Sequence, residues 1–390
     1  MNNTKGGSVT VNGNVDFQGN ANGLFANSGG AVVTVKGGSI VVDAEQEMDY
    51  AAIRAEDGTV NMNVVRNEAG KVTGADNNDV NIKGNVVLST GAANASDIHG
   101  TESAINLGLT TAKSNLTGVV ANYYGDGYTT GSLTFNGAAN LWLQNGATWN
   151  NEEWGEPSDD FEGSRVANFV GGASEGTAGN IFQKDSNNLT IDNYSGNTNI
   201  FYAHTGNGEA AETCAAGDTV IKHAEKDSVV SLITDNTGVA MDNKDSVANV
   251  LNALAGKLTY SNYVNGERNL TGYVKIADGL TASSAALKSG DISFNKEDGK
   301  GSYSAQAPVV PEAKTEFTTT LTGDKATDTE YADANIIADD GTYKFAKDST
   351  ITTTDKHGAD IKQAATINAE GKTLTFNCLL YTSPSPRDTR

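Results

Sequence analysis

Apolar residues in this chain alternate with polar ones in short bursts, most clearly between Gly131 and Asn236. Leu133 and Phe135, Leu141 and Leu143, and Leu189 and Ile191 each sit two positions apart, and each burst ends in Asn, Gly or Asp. A period of two puts alternate side chains on one face of a strand, and Asn/Gly clusters favour turns. The stretch therefore predicts short, half-buried strands joined at tight corners. Leu133, Phe135, Leu189 and Ile191 are expected to point into the core.

The same unit recurs along the chain. It reads VTVNGNV at Val9–Val15, VTVKGGSI at Val33–Ile40, VNIKGNV at Val80–Val86 and LTFNGAANL at Leu133–Leu141, with LTFN again at Leu374–Asn377. Weaker copies lie at Val60–Met62 and Ile105–Leu107. Starts at Val9, Val33, Val60, Val80, Ile105 and Leu133 are separated by 24, 27, 20, 25 and 28 residues. Such intervals indicate a repeat architecture. Each strand is too short to bury a face alone, and no helical pattern separates the copies. Coils of stacked strands satisfy both conditions. The sequence thus predicts an all-β fold, a right-handed parallel β-helix running from Val9 to about Asn236. No antiparallel hairpin is expected between Val33 and Leu143. A β-sandwich would need strands every 8–12 residues or so and often a paired Cys or core Trp; here Trp142, Trp149 and Trp154 cluster in one region instead.

The period changes at Asp245. Val247, Val250, Leu251, Leu254 and Leu258 fall at helical spacing, with Asp245 or Ser246 as N-cap. One short helix near 245–260 is expected to cover the open end of the stack, where unpaired strand edges would otherwise face water. Residues 1–240 are assigned to the solenoid, and 241–305 to the capping helix plus further strands. Residues 306–315, with two of the five prolines, read as a linker, and 316–377 as a second β-rich segment.

Three strings carry a family resemblance: GATW at Gly146–Trp149, NLTIDNYSGNTNIFY at Asn188–Tyr202, and GDTV at Gly217–Val220. In this order they resemble the pertactin-like passenger region of Gram-negative autotransporters. The resemblance implies a secreted, extracellular segment at the bacterial cell surface. It also implies an outer-membrane β-barrel downstream and an export signal upstream, neither of which is in the chain. The implied task is adhesion or display, with a host surface protein or glycan, or a neighbouring cell, as partner. The final stretch, Cys378–Arg390, resembles translated sequencing-adapter sequence and is set apart from the fold as a non-native tail.

Composition sharpens this picture in two places. The formal net charge is −21 with Lys and Arg scattered, which disfavours nucleic acid and anionic lipid. Of two cysteines, Cys378 lies in the tail, so Cys214 has no partner for a disulfide and stability must come from stacking.

A search for chemistry finds little. Asp159–Asp160 and Asp339–Asp340 are adjacent pairs, and neighbours on a strand point to opposite faces, unlike the two convergent carboxylates of a glycosidase. His99, His204, His223 and His357 have no metal-ligand spacing. Gly74–Asn81 offers carboxylates in a turn as a weak Ca²⁺ candidate. The sequence predicts no catalysis, no metal and no cofactor. The alternatives are a β-helix enzyme acting on polysaccharide and a self-associating biofilm factor. Contact with a ligand is expected from two inserted loops: Tyr123, Tyr124, Asp126 and Tyr128 in one, and Trp154, Asp159, Asp160 and Phe161 in the other.

Overall fold

A computed structural model describes residues 2–3, 6–19, 22–43, 51–89, 103–123, 137–155, 163–184, 187–203, 217–235, 244–277 and 289–304, plus six strands beyond them. The chain divides into two units, Met1–Ala305 and Gln306–Arg390. The first is a large, mostly parallel sheet curled into a solenoid-like shape, with one α-helix.

Three faces alternate along the chain, here A, B and C. On face A, Leu24 pairs with Ile53, Ile53 with Val86, and Val86 with Val120. The same face resumes as Ser164, Leu189, Thr219 and Leu258. At the step between those two runs, the Val120 amide donates to the Ser164 hydroxyl, 2.9 Å away. Face B stacks Val9, Val33, Val60, Ile105 and Ala139, and beside them Leu141, Phe169, Tyr194 and Ala224. Face C stacks Phe17, Ile40, Ile82, Leu116, Trp149, Ile181, Ile200, Leu232 and Val274. Every pairing in these three columns is parallel.

Period-two alternation explains why the strands roll around a core. In Leu189–Ser195, Leu189 and Ile191 are fully buried while Asp192 and Asn193 face outward. Val33, Val35, Ile40, Val80 and Ile82 are likewise buried. Val9 and Val11, in the first coil, are only partly covered. Leu133 and Phe135 lie outside the described residues; the neighbouring strand is Ala138–Leu143, with Leu141 and Leu143 buried.

Corners need unusual backbone. Asp57, Asn63, Asn145 and Asp227 adopt positive φ, between 52° and 65°, a region that Asn and Asp enter more readily than most residues. At Gly38, φ is +118°, and a Cβ would lie 2.0 Å from the Val15 carbonyl oxygen of the preceding coil. Only glycine fits there.

Three expectations are revised. First, the repeat starts do not share one face: Val60 belongs to face B, whereas Val80 opens a strand on face C. Similar strands on different faces look like successive repeats when only their alternation is read. Second, the parallel stack is interrupted by an antiparallel hairpin, Val64–Arg66 with Val72–Ala75, inserted at one corner between faces B and C. The columns continue on both sides of it. Third, the helix is Lys244–Ala255, and Leu258 begins a strand. Val247, Val250, Leu251 and Leu254 are buried as predicted. Yet the stack does not end there, because Leu258–Tyr260 and Leu270–Ile276 add strands to faces A and C after it. Parallel pairing then gives way to an antiparallel meander through Ser289–Phe294 and Gly301–Ser304.

The second unit contains two three-stranded sheets. Thr342–Phe345 pairs in parallel with Thr366–Asn368, and Ser349–Thr352 with Leu374–Asn377. The last four of its described strands thus alternate between the two sheets, and Ile336–Asp339 pairs antiparallel with Thr342–Phe345. The linker Gln306–Thr315 and the tail Cys378–Arg390 lie outside the described residues.

Candidate functional site

The outer side of face B carries a continuous column of polar side chains. Asn61 Nδ2 donates to Thr34 Oγ1 at 3.3 Å, and Asn106 Nδ2 to Asn61 Oδ1 at 2.8 Å. Asn140 donates to Asn106 at 2.7 Å, Asn168 to Asn140 at 2.6 Å, and Asn193 to Asn168 at 3.1 Å. Successive members are 27, 45, 34, 28 and 25 residues apart in sequence. All donate in one direction, so the amide dipoles align along the stack. Such ladders reinforce stacked parallel strands. A signal for them exists in the sequence: each Asn precedes an inward apolar residue, in VNM, INL, ANL, ANF and DNY. This signal lies in the polar positions, between the apolar ones that mark the repeat.

The inserted hairpin stands over the early part of this column. Its base is held by Asn63, which is fully buried and uses its whole amide. Nδ2 contacts the carbonyls of Asn78 and Gly108 and the Thr110 hydroxyl at 3.0–3.2 Å, while Oδ1 accepts from the Asn78 amide and side chain, both at 3.0 Å. A groove runs along each side. One is lined by Thr10, Thr34, Lys36, Arg66, Glu68 and Asp76 among others. The other is lined by Thr59, Asn61, Arg66, Lys71, Ala104 and Asn106, with Val32, Gly70 and Val72, and no carboxylate. Arg66 and Lys71 are exposed and pair with no carboxylate among the described residues.

Of the predicted contact residues, only Trp154 has a described side chain, and it is partly buried against the solenoid. Its Nε1 donates to the Val42 carbonyl at 2.9 Å, and the Lys83 ammonium lies 4.4 Å from the ring centre. Asn85 brackets its backbone, accepting from the Trp154 amide and donating to its carbonyl, both at 3.0 Å. These bonds strap the start of the acidic loop onto two earlier coils. Tyr123 ends a strand of face A. Its side chain, with Tyr124, Asp126, Tyr128, Asp159, Asp160 and Phe161, lies outside the described residues.

Among the described residues, the carboxylates of the Gly74–Asn81 turn do not converge. Asp76 accepts from Asn77 and Asn78, while Asp79 accepts from Thr111, so the turn at Gly74–Asn81 directs its carboxylates to separate partners. Among the described residues, no group of three or more His, Cys, Asp and Glu is placed to hold a metal ion. His223 lies 3.9 Å from Glu267, and His99, His204 and His357 fall outside the described residues, as does Cys214. Glu267 accepts from the Tyr260 hydroxyl at 2.8 Å, from Asn269 at 2.7 Å and from Asn262, pinning the corner after Leu258–Tyr260. Burial, then the hydrogen bond and charge of Glu267, raise the Tyr260 phenol pKa above its ordinary value. That favours a neutral donor at this corner. No described helix is long and apolar enough to cross a membrane.

In comparisons with protein-family models, curated proteins and solved structures, none matches this chain.

Proposed function

We propose that this chain is a passenger segment of a Gram-negative autotransporter, a right-handed parallel β-helix that acts at the cell surface as an adhesin or display stalk. The observation that carries the reading is the three-faced parallel stack, in which each coil is joined to the next by main-chain bonds and side-chain ladders. Such a scaffold makes a stiff rod from a chain with little charge pairing, and corner insertions can grow without disturbing the columns. The hairpin at Val64–Ala75 is one such insertion.

Beads coated with the purified chain test this. Adherence to host-cell or bacterial surfaces above that of beads coated with an inert protein is the expected result. Equal adherence would overturn the adhesin reading. Release of reducing ends or unsaturated products from a polysaccharide would replace it with an enzymatic one. An experimental structure showing left-handed coiling would refute the right-handed assignment.

A further inference from the structure

We infer that the groove between the hairpin and the Asn61–Asn106 segment of face B binds a linear, carboxylated polysaccharide. The inference rests on the surface-adhesion reading and names the ligand class and place it would use.

Four observations point there. The groove is lined by two cations, Arg66 and Lys71, and by no acid, on a chain of net charge −21. Its floor presents Asn61 and Asn106 amides and the Thr59 hydroxyl, with Ala104 and Gly70 leaving room above them. Each ladder amide spends one N–H on its neighbour and keeps a second; Asn61 and Asn106 are 3% and 7% exposed, so their contact with a ligand is confined to that small area. The main-chain groups beneath are consumed in the parallel pairing of Thr59–Met62 with Ala104–Leu107.

That last point selects the occupant. A peptide that binds by adding a strand needs a free edge, and the middle of a paired face has none. A polyhydroxylated chain needs side-chain amides and hydroxyls instead. Stacked coils present these at a repeat of about 4.8 Å, close to the length of one sugar unit. The guanidinium of Arg66 can take a carboxylate through two parallel N–H bonds, and Lys71 supplies a point charge beside it. The groove on the hairpin's other side sets Glu68 and Asp76 against Lys36 and Arg66, so it offers the same ligand no net positive charge.

Binding of a short oligogalacturonate to the full chain, compared with a neutral glucan oligomer of equal length, tests the inference by calorimetry. Oligogalacturonate should bind, and binding should weaken as salt is raised. Arg66→Glu should reduce affinity at least about tenfold. Lys113→Glu, the same charge change at an exposed site, should leave it near the unmodified value. Because Arg66 is exposed, a thermal melt should show that the variant stays folded. Oligogalacturonate binding untouched by Arg66→Glu, or reduced equally by Lys113→Glu, would overturn the groove while leaving the adhesion reading intact. Preference for the neutral oligomer, or no binding of either, would also overturn it. Adherence of coated beads then judges the broader reading separately.

Discussion

The Trp154 indole N–H donates to the Val42 carbonyl across 112 residues of sequence, at 2.9 Å. This contact ties the beginning of an acidic insertion to a coil laid down far earlier in the chain. It gives a residue that sequence assigns to ligand contact a part in the scaffold as well. Trp154→Ala should therefore destabilise the first unit by roughly 1–3 kcal/mol, from lost packing and an orphaned carbonyl. Trp154→Phe keeps the ring and should cost about 1 kcal/mol. Denaturant midpoints of the two variants check the order.

The Asn column should be most sensitive in its middle. Asn106 donates to Asn61 and accepts from Asn140, and it is only 7% exposed. Asn106→Ala should cost about 1–3 kcal/mol, because the buried Asn61 and the half-buried Asn140 each lose a bond. Asn193→Ala, at an exposed position, should cost less than about 1 kcal/mol, since water can replace the lost partner. Equal losses in urea titrations would refute a cooperative ladder.

Ile191 stacks between Val166 and Ile221 on face A with no exposed surface. Ile191→Asp should destabilise by about 4 kcal/mol or more, since a charge would lie unpaired in the core. A melting temperature equal to that of the unmodified chain would show the assignment of faces to be wrong.

High pH should weaken the fold. Burial raises the Tyr194 phenol well above its ordinary value of 10.0, and its hydroxyl donates to the Val229 carbonyl at 2.5 Å. The folded state keeps this proton when the unfolded chain gives it up. Stability should be fully present below about pH 10 and fall as pH rises beyond it. Tyr194→Phe should be less steeply pH-dependent over that range. Guanidinium titrations at several alkaline pH values measure both slopes.

The helix offers a test of where the stack ends. Leu251 is fully buried, and the strands Leu258–Tyr260 and Leu270–Ile276 pair beyond the helix. Leu251→Ala should cost about 2–5 kcal/mol. It should not change the size of the sedimenting species, because those later strands still cover the preceding coil. Aggregation of this variant at matched concentration would mean that the helix itself protects an open edge.

Sequence alone determined the local part of this protein. Alternation at Val33 and Val35 or Leu189 and Ile191 says which side chains turn inward, because a strand has a period of two whatever it pairs with. The spacing of Val247, Val250, Leu251 and Leu254 says helix for an equally local reason. Asn at the corners follows from its tolerance of left-handed backbone. Tertiary structure decided everything that depends on which strand lies beside which. Val60 and Val80 carry the same local pattern, yet corner geometry sends them to different faces. The Asn column needs partners 25–45 residues apart to arrive in register, and the Arg66–Lys71 groove needs a hairpin folded back over that column. Trp154 finds Val42 only after the intervening coils have stacked. The hydrophobic pattern fixes which face of a strand turns inward, but which coil it joins is set by corners and insertions of variable length.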